Sequence, residues 1–374
     1  MKGSLEQSPC QIRNLMSHIP CTVRSNALTE IALELIPPAR RVPKTTAESR
    51  DDKRAYGDEV SISRALQRPP QTQRQRIEGG MKTGPKLYVI LPVHNRIEIT
   101  AKFVQCLLEQ TYKNYHLILV DDGSTDGTAD FVRERITALT VLRGDGNLWW
   151  AGALTEAYKY LSRTQPNDDD IVLIMNDDTT FNAAYFETVV FDEDLESGAL
   201  VVSSGLLISS QDETSYHPQT EWGFAIDWPS LSTRLVREGE EVDAATTRGL
   251  YMPYSTYRSL GPLHPHFLPH YLSDLEYTIR AKRRGLRLIP SKTSGLLVDR
   301  SATGSHRDEA TSLGEFLYNH LISKKTAYNT LYWGNFVLLA APWRYKFRAL
   351  VKVYARFFGK LARFIKRAYV NPKR

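Results

Sequence analysis

The sequence predicts an α/β protein with a mixed, mostly parallel sheet that is flanked by helices. Short apolar runs alternate with helical patterns of about ten to fifteen residues between Leu87 and Asp178. Patterns of that length suit the right-handed crossovers that join parallel strands. The composition, 42% hydrophobic and 24% charged over 374 residues, supplies enough apolar surface for a sizeable core.

The first half of this pattern alternates strand and helix. Its predicted strands are "LYVILP", "HLILVDD", "TVLRG" and "IVLIM", and its predicted helices are "IEITAKFVQCLLEQ", "DGTADFVRERITAL" and "AGALTEAYKYLSR". Open α/β sheets bind ligands beyond the carboxyl ends of their strands. We therefore expect the polar clusters that end the four strands to converge on one site; they lie at 92–95, 121–124, 143–147 and 176–178.

The second half is less regular. The segment "ALVVSSGLLI" is predicted to be a strand, and "EWGFAIDW" an aromatic loop. A helix over "SDLEYTIRAKRRG" should end at Gly285, because cations in the last turns and a following glycine favour a helix C-terminus. Glu276 and Arg280 are four residues apart, which favours an ordinary salt bridge on the face of this helix. Two further strands are predicted in "LRLIP" and "SGLLVDR".

The two ends of the chain differ from this central pattern. Residues 1–80 are polar, rich in Arg and Gln and without sustained periodicity, so we expect them to be mostly disordered. Folded pattern begins after Met81, which is a candidate start of the functional protein. A central domain would then cover residues 81–310, followed by a helical tail over residues 311–374.

Basic residues are concentrated in the tail. The net charge is +6, yet eleven cations and no Asp or Glu lie from Trp343 to Arg374, so the remainder is mildly acidic. Segment 344–370 combines a cationic face with an apolar stripe of Phe347, Leu350, Val351, Tyr354, Phe357, Phe358, Leu361, Phe364 and Ile365.

This pattern favours a helix of residues 344–374 that lies on an anionic membrane surface; a helix packed on the domain is the alternative. No apolar run reaches the ~20 residues needed to span a bilayer. The body carries no matching basic surface, which disfavours nucleic-acid binding. Three scattered cysteines (Cys10, Cys21 and Cys106) make neither a disulfide framework nor a zinc cluster and favour a reducing, cytoplasmic location.

Two strand-end segments carry candidate chemistry. The apolar run before Asn176 leads directly into Asp177 and Asp178, and two carboxylates there need a compensating cation or hydrogen bonds. Mg²⁺ and Mn²⁺ prefer oxygen ligands and tolerate phosphates in the remaining positions, so we expect such an ion with a diphosphate rather than a solvated turn.

The second segment is "VDDGSTDGT". Asp126 is placed to cap the helix that follows. Asp121 and Asp122 are not needed for that helix start, and either carboxylate could accept a hydrogen bond from a ribose hydroxyl or a base N–H.

Four motifs in this order, "VILPVHNR", "LILVDDGSTDGT", "NDDT" and "SDLEYTIRAKRRG", resemble the family 2 inverting glycosyltransferases with the glycosyltransferase A-type fold, over residues 87 to about 305. The segment "GNLWWAGAL" resembles a bacterial subgroup that includes rhamnosyltransferases. The resemblance implies transfer of a sugar from a UDP- or dTDP-sugar to a hydroxyl of a glycan or lipid-linked acceptor. Such enzymes of polysaccharide synthesis would sit peripherally on the inner face of a membrane.

The same resemblance implies roles for particular residues. Asp178 would be the direct metal ligand, and Asp274 the base that activates the acceptor. Ser273 departs from the family pattern, which has a second acid at that position. The nucleotide and donor would contact Pro92, His94, Asn95, Asp121, Asp122, Asn147, Asn176, Asp177, Arg248 and Gly249.

Two interpretations remain open for each of four further residues. Asp299 or His306 could complete the metal site or belong to a plain loop. Trp149 and Trp150 could stack on a sugar ring or pack against the following helix.

The chemistry of the reaction requires a base and a cation independently of the resemblance. Displacing a nucleoside diphosphate with inversion requires a base near the acceptor hydroxyl and a cation on the leaving phosphates. A sugar-phosphate nucleotidyltransferase is the main rival, but it would need a Gly-rich cationic loop after the first strand, and "PVHNRIEIT" offers little of one. A non-catalytic nucleotide-sugar-binding module is the third possibility.

Overall fold

The computed structural model describes residues 84–208, 219–299 and 310–367, and every element below lies in these ranges. The disorder predicted for residues 1–80 falls outside the described residues. The strands are β1 Leu87–Val93, β2 Tyr115–Asp121, β3 Leu139–Arg143, β4 Ile171–Ile174, β5 Thr179–Thr180, β6 Leu200–Ile208, β7 Gln219–Glu221, β8 Phe224–Asp227, β9 Ser232–Leu235, β10 Leu250–Pro253 and β11 Leu288–Asp299.

The helices surround this set of strands and alternate with them in the first half, as predicted. They are α1 Ile97–Glu109, α2 Thr128–Arg133, α3 Trp149–Thr164, α4 Tyr185–Val190, α5 Tyr254–Leu260, α6 Ser273–Arg283, α7 Leu313–Leu321, α8 Thr330–Ala340 and α9 Trp343–Ile365, with a short 3-10 helix at Glu193–Ser197.

One large mixed sheet organises the chain. Its order is β3-β2-β1-β4-β10-β6-β11-β5, with β7 paired to β6. Strands β1 to β4 are mutually parallel, whereas β10 runs antiparallel between β4 and β6. The parallel half confirms the prediction from the alternating pattern, whereas β10 begins beside the carboxyl end of β4 and runs in the opposite direction.

The core lies on both faces of the sheet because strand side chains alternate with a period of two. Val89 and Leu91 of β1 belong to one hydrophobic cluster together with Phe103 of α1. Ile90 points to the opposite face and belongs to a second cluster together with Leu154 of α3. All five side chains are fully buried. The sheet therefore holds its carboxyl-end loops on a rigid, two-sided core.

Two predicted elements of the second half need correction. The segments predicted as two strands after Gly285 form the single strand β11, with a register shift between Pro290 and Gly295. Pro290 has no N–H for the ladder, and the Ser291 hydroxyl accepts a hydrogen bond from Ser294 N at 3.0 Å within the irregularity. The aromatic segment predicted to be a loop contains β8, which pairs with β9 in a hairpin.

The tail helix α9 matches its predicted position but has two apolar faces. Ala349, Val353 and Phe357 are buried, and the first two pack in a cluster with Leu231 and Val337. Within the described residues, no helix combines the length and the hydrophobicity that a bilayer crossing requires. The predicted stripe is thus divided between the protein core and the surface.

Asp122 determines where α3 begins. Its Oδ1 accepts hydrogen bonds from Gly146 N at 2.9 Å and Leu148 N at 3.1 Å, and its Oδ2 accepts one from Trp149 N at 3.0 Å. A Cβ on Gly144 would lie 2.5 Å from Asp122 Oδ1, so glycine is needed at that position. The carboxylate therefore anchors the loop that leads into α3.

We expect Asp122→Ala to lower the free energy of unfolding by about 2–4 kcal/mol, because three backbone N–H groups lose a charged acceptor. Asp130→Ala is the control: that carboxylate is exposed and pairs with Arg133, and its loss should change stability by less than about 0.5 kcal/mol. Urea unfolding of both variants gives the comparison. Equal, small losses would show that Asp122 does not hold the loop.

Candidate active site

The strand-end clusters converge on one cavity of about 610 Å³. Each of the four contributes to its wall, which confirms the predicted convergence. The predicted site residues that line it are Pro92, His94, Asp122, Asn176, Asp177, Asp178, Arg248 and Asp274, together with Trp149 and Trp150.

The acid pair forms one wall of this cavity. Asp177 and Asp178 are both buried, and Arg96 reaches them with Nε 3.2 Å from Asp177 Oδ2 and Nη2 3.9 Å from Asp178 Oδ2. Thr100 Oγ1 also donates to Asp177 Oδ2, at 3.1 Å. Burial raises the pKa of Asp177 to about 6. The positive charge of Arg96 opposes this rise, and the negative charge of Asp178 adds to it. The negative charge of this wall is therefore only partly compensated.

The oxygen atoms of this wall suit a hard divalent cation. Asn176 Oδ1 is buried and forms no hydrogen bond with the described residues, and it belongs to the same cavity as the two carboxylates. The described ranges contain no group of three or more His, Cys, Asp or Glu side chains able to hold a metal. Asp299 ends β11, but its side chain is not described, and His306 lies outside the described ranges. A metal-binding role for either residue therefore stays a prediction.

Asp274 stands on a second wall, in the first turn of α6. It does not cap that helix: Leu272 occupies the N-cap, while Asp274 Oδ2 accepts a hydrogen bond from Thr247 N at 3.4 Å. Burial raises the pKa of Asp274, although hydrogen bonds from Thr247 and Trp150 and the charge of Arg248 oppose the shift. A raised pKa makes this carboxylate a better proton acceptor than an ordinary aspartate.

Arg248 lies beside Asp274 and is only 9% exposed. Its Nε has no hydrogen-bond partner among the described residues. A buried guanidinium with donors directed at a cavity is suited to an anionic group such as a phosphate.

Gly249 does not line the cavity. It has φ 71°, and a Cβ there would lie 2.6 Å from Leu296 Cδ1 and 2.9 Å from Ser203 Cβ. The structure thus explains this glycine by the close packing under Arg248, rather than by the donor contact that the resemblance implied.

Three other predicted donor-binding residues also lie outside the cavity wall. Asn95 Oδ1 accepts a hydrogen bond from Thr125 N at 2.8 Å, and Asp121 Oδ1 accepts one from Ser124 N at 2.9 Å. Asn147 lines an adjacent cavity instead. Asn95 and Asp121 therefore brace the loops that shape the site.

Gly127, and not Asp126 as predicted, occupies the N-cap of α2, although Asp126 Oδ1 accepts a hydrogen bond from Thr128 N at 3.0 Å in the first turn. Asp126 Oδ2 also accepts from Ile97 N at 2.9 Å, at the start of α1. His94 Nδ1 lies 2.6 Å from the carbonyl oxygen of Asp122. The loop that follows β2 thus positions two helix starts and the histidine in the cavity wall.

The remaining sequence alternatives can now be compared with the structure. Trp150 Nε1 donates to Thr247 Oγ1 at 3.1 Å, whereas the Trp149 ring lies 5.6 Å from that of His270. Both tryptophans line the cavity, so each combines packing with exposure to a ligand. The salt bridge predicted on α6 is confirmed, with 3.0 Å between Glu276 Oε1 and Arg280 Nε.

Sequence reasoning missed several lining residues, among them Arg96, His270, Tyr271 and Lys325. Arg96 was within reach, because it ends the first motif, directly after the predicted donor-binding residues. Burial raises the pKa of Tyr271 to about 12. The segment that carries His270 and Tyr271 shows no periodicity that would have indicated its place.

Comparisons with known proteins identify the domain that carries most of this cavity. Residues 88–257 match the family model described as Glycosyl transferase family 2. EpsE of Bacillus subtilis is 43% identical over 54 residues, covering 14% of this chain and 19% of EpsE. Glycosyltransferase GlyA of Streptococcus pneumoniae is 37% identical over 54 residues, covering 14% of this chain and 8% of GlyA. The chain thus spans less than a fifth of the length of either relative.

Two solved structures are also similar. The crystal structure of GalNAc-T7 with UDP, GalNAc and Mn²⁺ has a TM-score of 0.49 at 13% identity and covers 74% of this chain and 55% of that chain. The crystal structure of S. aureus TarS has a TM-score of 0.47 at 15% identity with the same coverage, 74% and 55%. On the match of the family model, residues 88–257 form a glycosyltransferase domain of family 2.

Proposed function

We propose that the protein is an inverting glycosyltransferase that moves a sugar from a UDP- or dTDP-sugar to a hydroxyl of a glycan or lipid-linked acceptor. One observation carries this proposal: a single cavity combines a buried acid pair, a buried arginine and a carboxylate with a raised pKa. The strand-end loops around His94 and Asp122 would take the nucleotide, as ligands bind at such edges of α/β sheets.

A cation held by the acid pair, together with Arg248, would neutralise the negative charge of the diphosphate. Asp178 would hold Mg²⁺ or Mn²⁺, with Asp177 and Asn176 as further oxygen donors. The ion would neutralise charge on the leaving group. Arg248 would donate hydrogen bonds to phosphate oxygens, for which its Nε is available in the described structure.

Asp274 would act as the base. It takes the proton from the acceptor hydroxyl while the acceptor oxygen bonds to the anomeric carbon, and the bond from that carbon to the diphosphate breaks with its electron pair leaving on the phosphate oxygen. Glu276, the next acid along α6, is unsuited because it is engaged with Arg280 and lies outside the cavity wall.

We expect Asp274→Asn to keep donor affinity and to lower transfer by about 10²–10⁴-fold, because the amide keeps the size of the side chain but not its basicity. Calorimetry with the donor and a transfer assay on the same preparation measure both. Glu276→Gln is the control, and its rate of transfer per folded molecule should equal that of the wild type. Near-normal transfer by Asp274→Asn would place the base elsewhere.

The pH profile tests the same assignment. Asp274 must be ionised to accept a proton, so kcat/KM should fall as the pH drops, beginning above the ordinary Asp value of about 3.9 because burial raises its pKa. Burial raises the pKa of Asp177 to about 6 without a bound cation, so protonation of Asp177 should compete with the cation and raise the Mn²⁺ concentration needed for half-maximal rate below that pH. Only the loss due to Asp274 should vanish in Asp274→Asn.

We expect turnover to require a divalent cation and Asp178→Asn to need more than about tenfold more Mn²⁺ for half-maximal rate, since a carboxylate ligand is lost. Rates are measured during titration with Mn²⁺ after chelation. The exposed Asp169→Asn serves as the matched control and should titrate like the wild type. Turnover unaffected by excess chelator would remove the metal from the mechanism.

We further propose that α9 holds the protein on an anionic membrane surface of the cytoplasmic face. Trp343, Phe347 and Phe358 are 87%, 81% and 62% exposed. At 3.6 residues per turn, the exposed apolar positions fall within an arc of roughly 80°. They are Trp343, Phe347, Val351, Tyr354, Phe358 and Ile365.

Cations of α9 support this proposal. Arg344 and Arg348 are exposed beside the apolar arc, and Lys366 follows on the same side at the end of the helix. Lys352 and Arg356 instead donate to the backbone carbonyls of residues 229 and 230, each at 3.0 Å, and fix the helix to the domain. Each cation near an anionic surface contributes about 1 kcal/mol of attraction.

We expect Phe347→Ser combined with Phe358→Ser to weaken binding to phosphatidylglycerol vesicles by about 100-fold, because two aromatic side chains no longer enter the interface. Leu108→Ser removes an exposed leucine from α1 and is the control. Sedimentation with vesicles at increasing salt measures binding, and donor hydrolysis reports folding. Equal binding by both variants, or binding that salt does not weaken, would contradict the proposal.

A further inference from the structure

A second cavity of about 520 Å³ lies beside the active-site cavity. It is enclosed by the start of α3 and by the segment that follows α7, and it shares Trp149 and Lys325 with the first cavity. Both volumes fall within the range of about 300–1,000 Å³ that small-molecule sites occupy. The two cavities therefore adjoin at these two side chains.

The second cavity is positively charged. Two lysines, Lys324 and Lys325, line it, and none of its lining residues is acidic. Lys324 Nζ donates to Asn147 Oδ1 at 2.8 Å and lies 6.0 Å from the centre of the Trp149 ring. Neither lysine forms an ion pair with a carboxylate in the described ranges. Two ammonium groups without a carboxylate favour an anionic ligand.

Aromatic side chains complete the lining. Trp149, Tyr318 and Tyr328 all contact the cavity, and Tyr318 is 54% exposed at its edge. Trp149 has φ 59°, a backbone conformation that a bulky residue rarely adopts. Its backbone N–H donates to Asp122 Oδ2 at 3.0 Å, and its indole Nε1 donates to Asn147 Oδ1 at 3.1 Å; together they hold Trp149 in the wall between the two cavities. Flat aromatic faces with a polar edge are suited to pack against sugar rings.

We propose that this second cavity binds the acceptor and selects one that carries a phosphate or a carboxylate close to the sugar that is extended. The proposal rests on the proposed function, because it assigns the acceptor to the neighbour of the cavity that contains Asp274. Lys324 belongs to the second cavity alone, whereas Arg248 belongs to the first. The acceptor anion and the donor diphosphate therefore have separate cationic partners.

The test compares three probes: methyl glucoside, its 6-phosphate and methyl glucuronide. Their binding is measured by calorimetry on the full chain and on Lys324→Gln, Arg248→Gln and Lys102→Gln. Lys102 is exposed on α1 outside both cavities and provides the matched loss of a lysine. Release of nucleoside diphosphate from the donor, without any acceptor, is measured in parallel.

At least one charged probe should bind about tenfold or more tightly than methyl glucoside, since a hydrogen bond to a charged group is lost with the neutral probe. Lys324→Gln should remove this preference and leave donor hydrolysis unchanged, while Lys102→Gln keeps both. Tighter binding of the 6-phosphate or of the glucuronide tells which anion is recognised.

Equal binding of the three probes would overturn the proposal. A preference that survives Lys324→Gln and disappears in Arg248→Gln would also overturn it, because the anion would then occupy the donor site. Failure to bind any UDP- or dTDP-sugar, with the charge preference intact, would refute the proposed function while leaving an anion-selective sugar site in the second cavity.

Discussion

The burial of two carboxylates at the end of an apolar strand is the constraint on which the site depends. Strand β4 is fully buried and leads directly to Asp177 and Asp178, where water cannot stabilise both charges. Arg96, in the loop between β1 and α1, supplies one counter-charge, and parallel pairing of β1 with β4 brings this loop beside the acid pair. The compensation is incomplete, as the raised pKa of Asp177 shows. The proposed divalent cation would supply the positive charge that this wall still lacks.

A third carboxylate determines the shape of the site rather than its charge. The Asp122 carboxylate accepts hydrogen bonds from three backbone N–H groups at the start of α3, and so holds the backbone of Trp149 between the two cavities. Trp149 and Leu272 both adopt positive φ, at 59° and 68°, and both line the active-site cavity. Strained backbone of this kind persists only where surrounding contacts hold it, and it is concentrated at functional sites.

Sequence reasoning was sufficient for the elements whose signal is local. Hydrophobic periodicity predicted the strands of the first half, and the polar residues after each strand indicated the edge where the cavity lies. The contacts of Asp122 could not be predicted in this way, because its partners lie more than twenty residues further along the chain. For a carboxylate so far in sequence from the helix it anchors, ligand binding is the simpler interpretation of the pattern.

The tail and the irregular half show a second limit of sequence reasoning. The period of α9 indicated an apolar stripe, but only tertiary packing shows that Phe357 is buried while Phe358 is exposed. Likewise, the register shift in β11 depends on its pairing with β6.

The base of the proposed reaction depends on both halves of the fold. Trp150 of α3 donates to the Thr247 hydroxyl, and the Thr247 N–H donates to Asp274, which lies beyond the segment matched by the family model. These hydrogen bonds favour the ionised carboxylate, whereas burial favours the protonated one, and burial dominates. The antiparallel strand β10 follows Thr247 and Arg248, and these two residues limit the rise in the pKa of Asp274 that burial causes. A strand that departs from the parallel pattern thus joins the proposed donor half of the cavity to the proposed catalytic carboxylate.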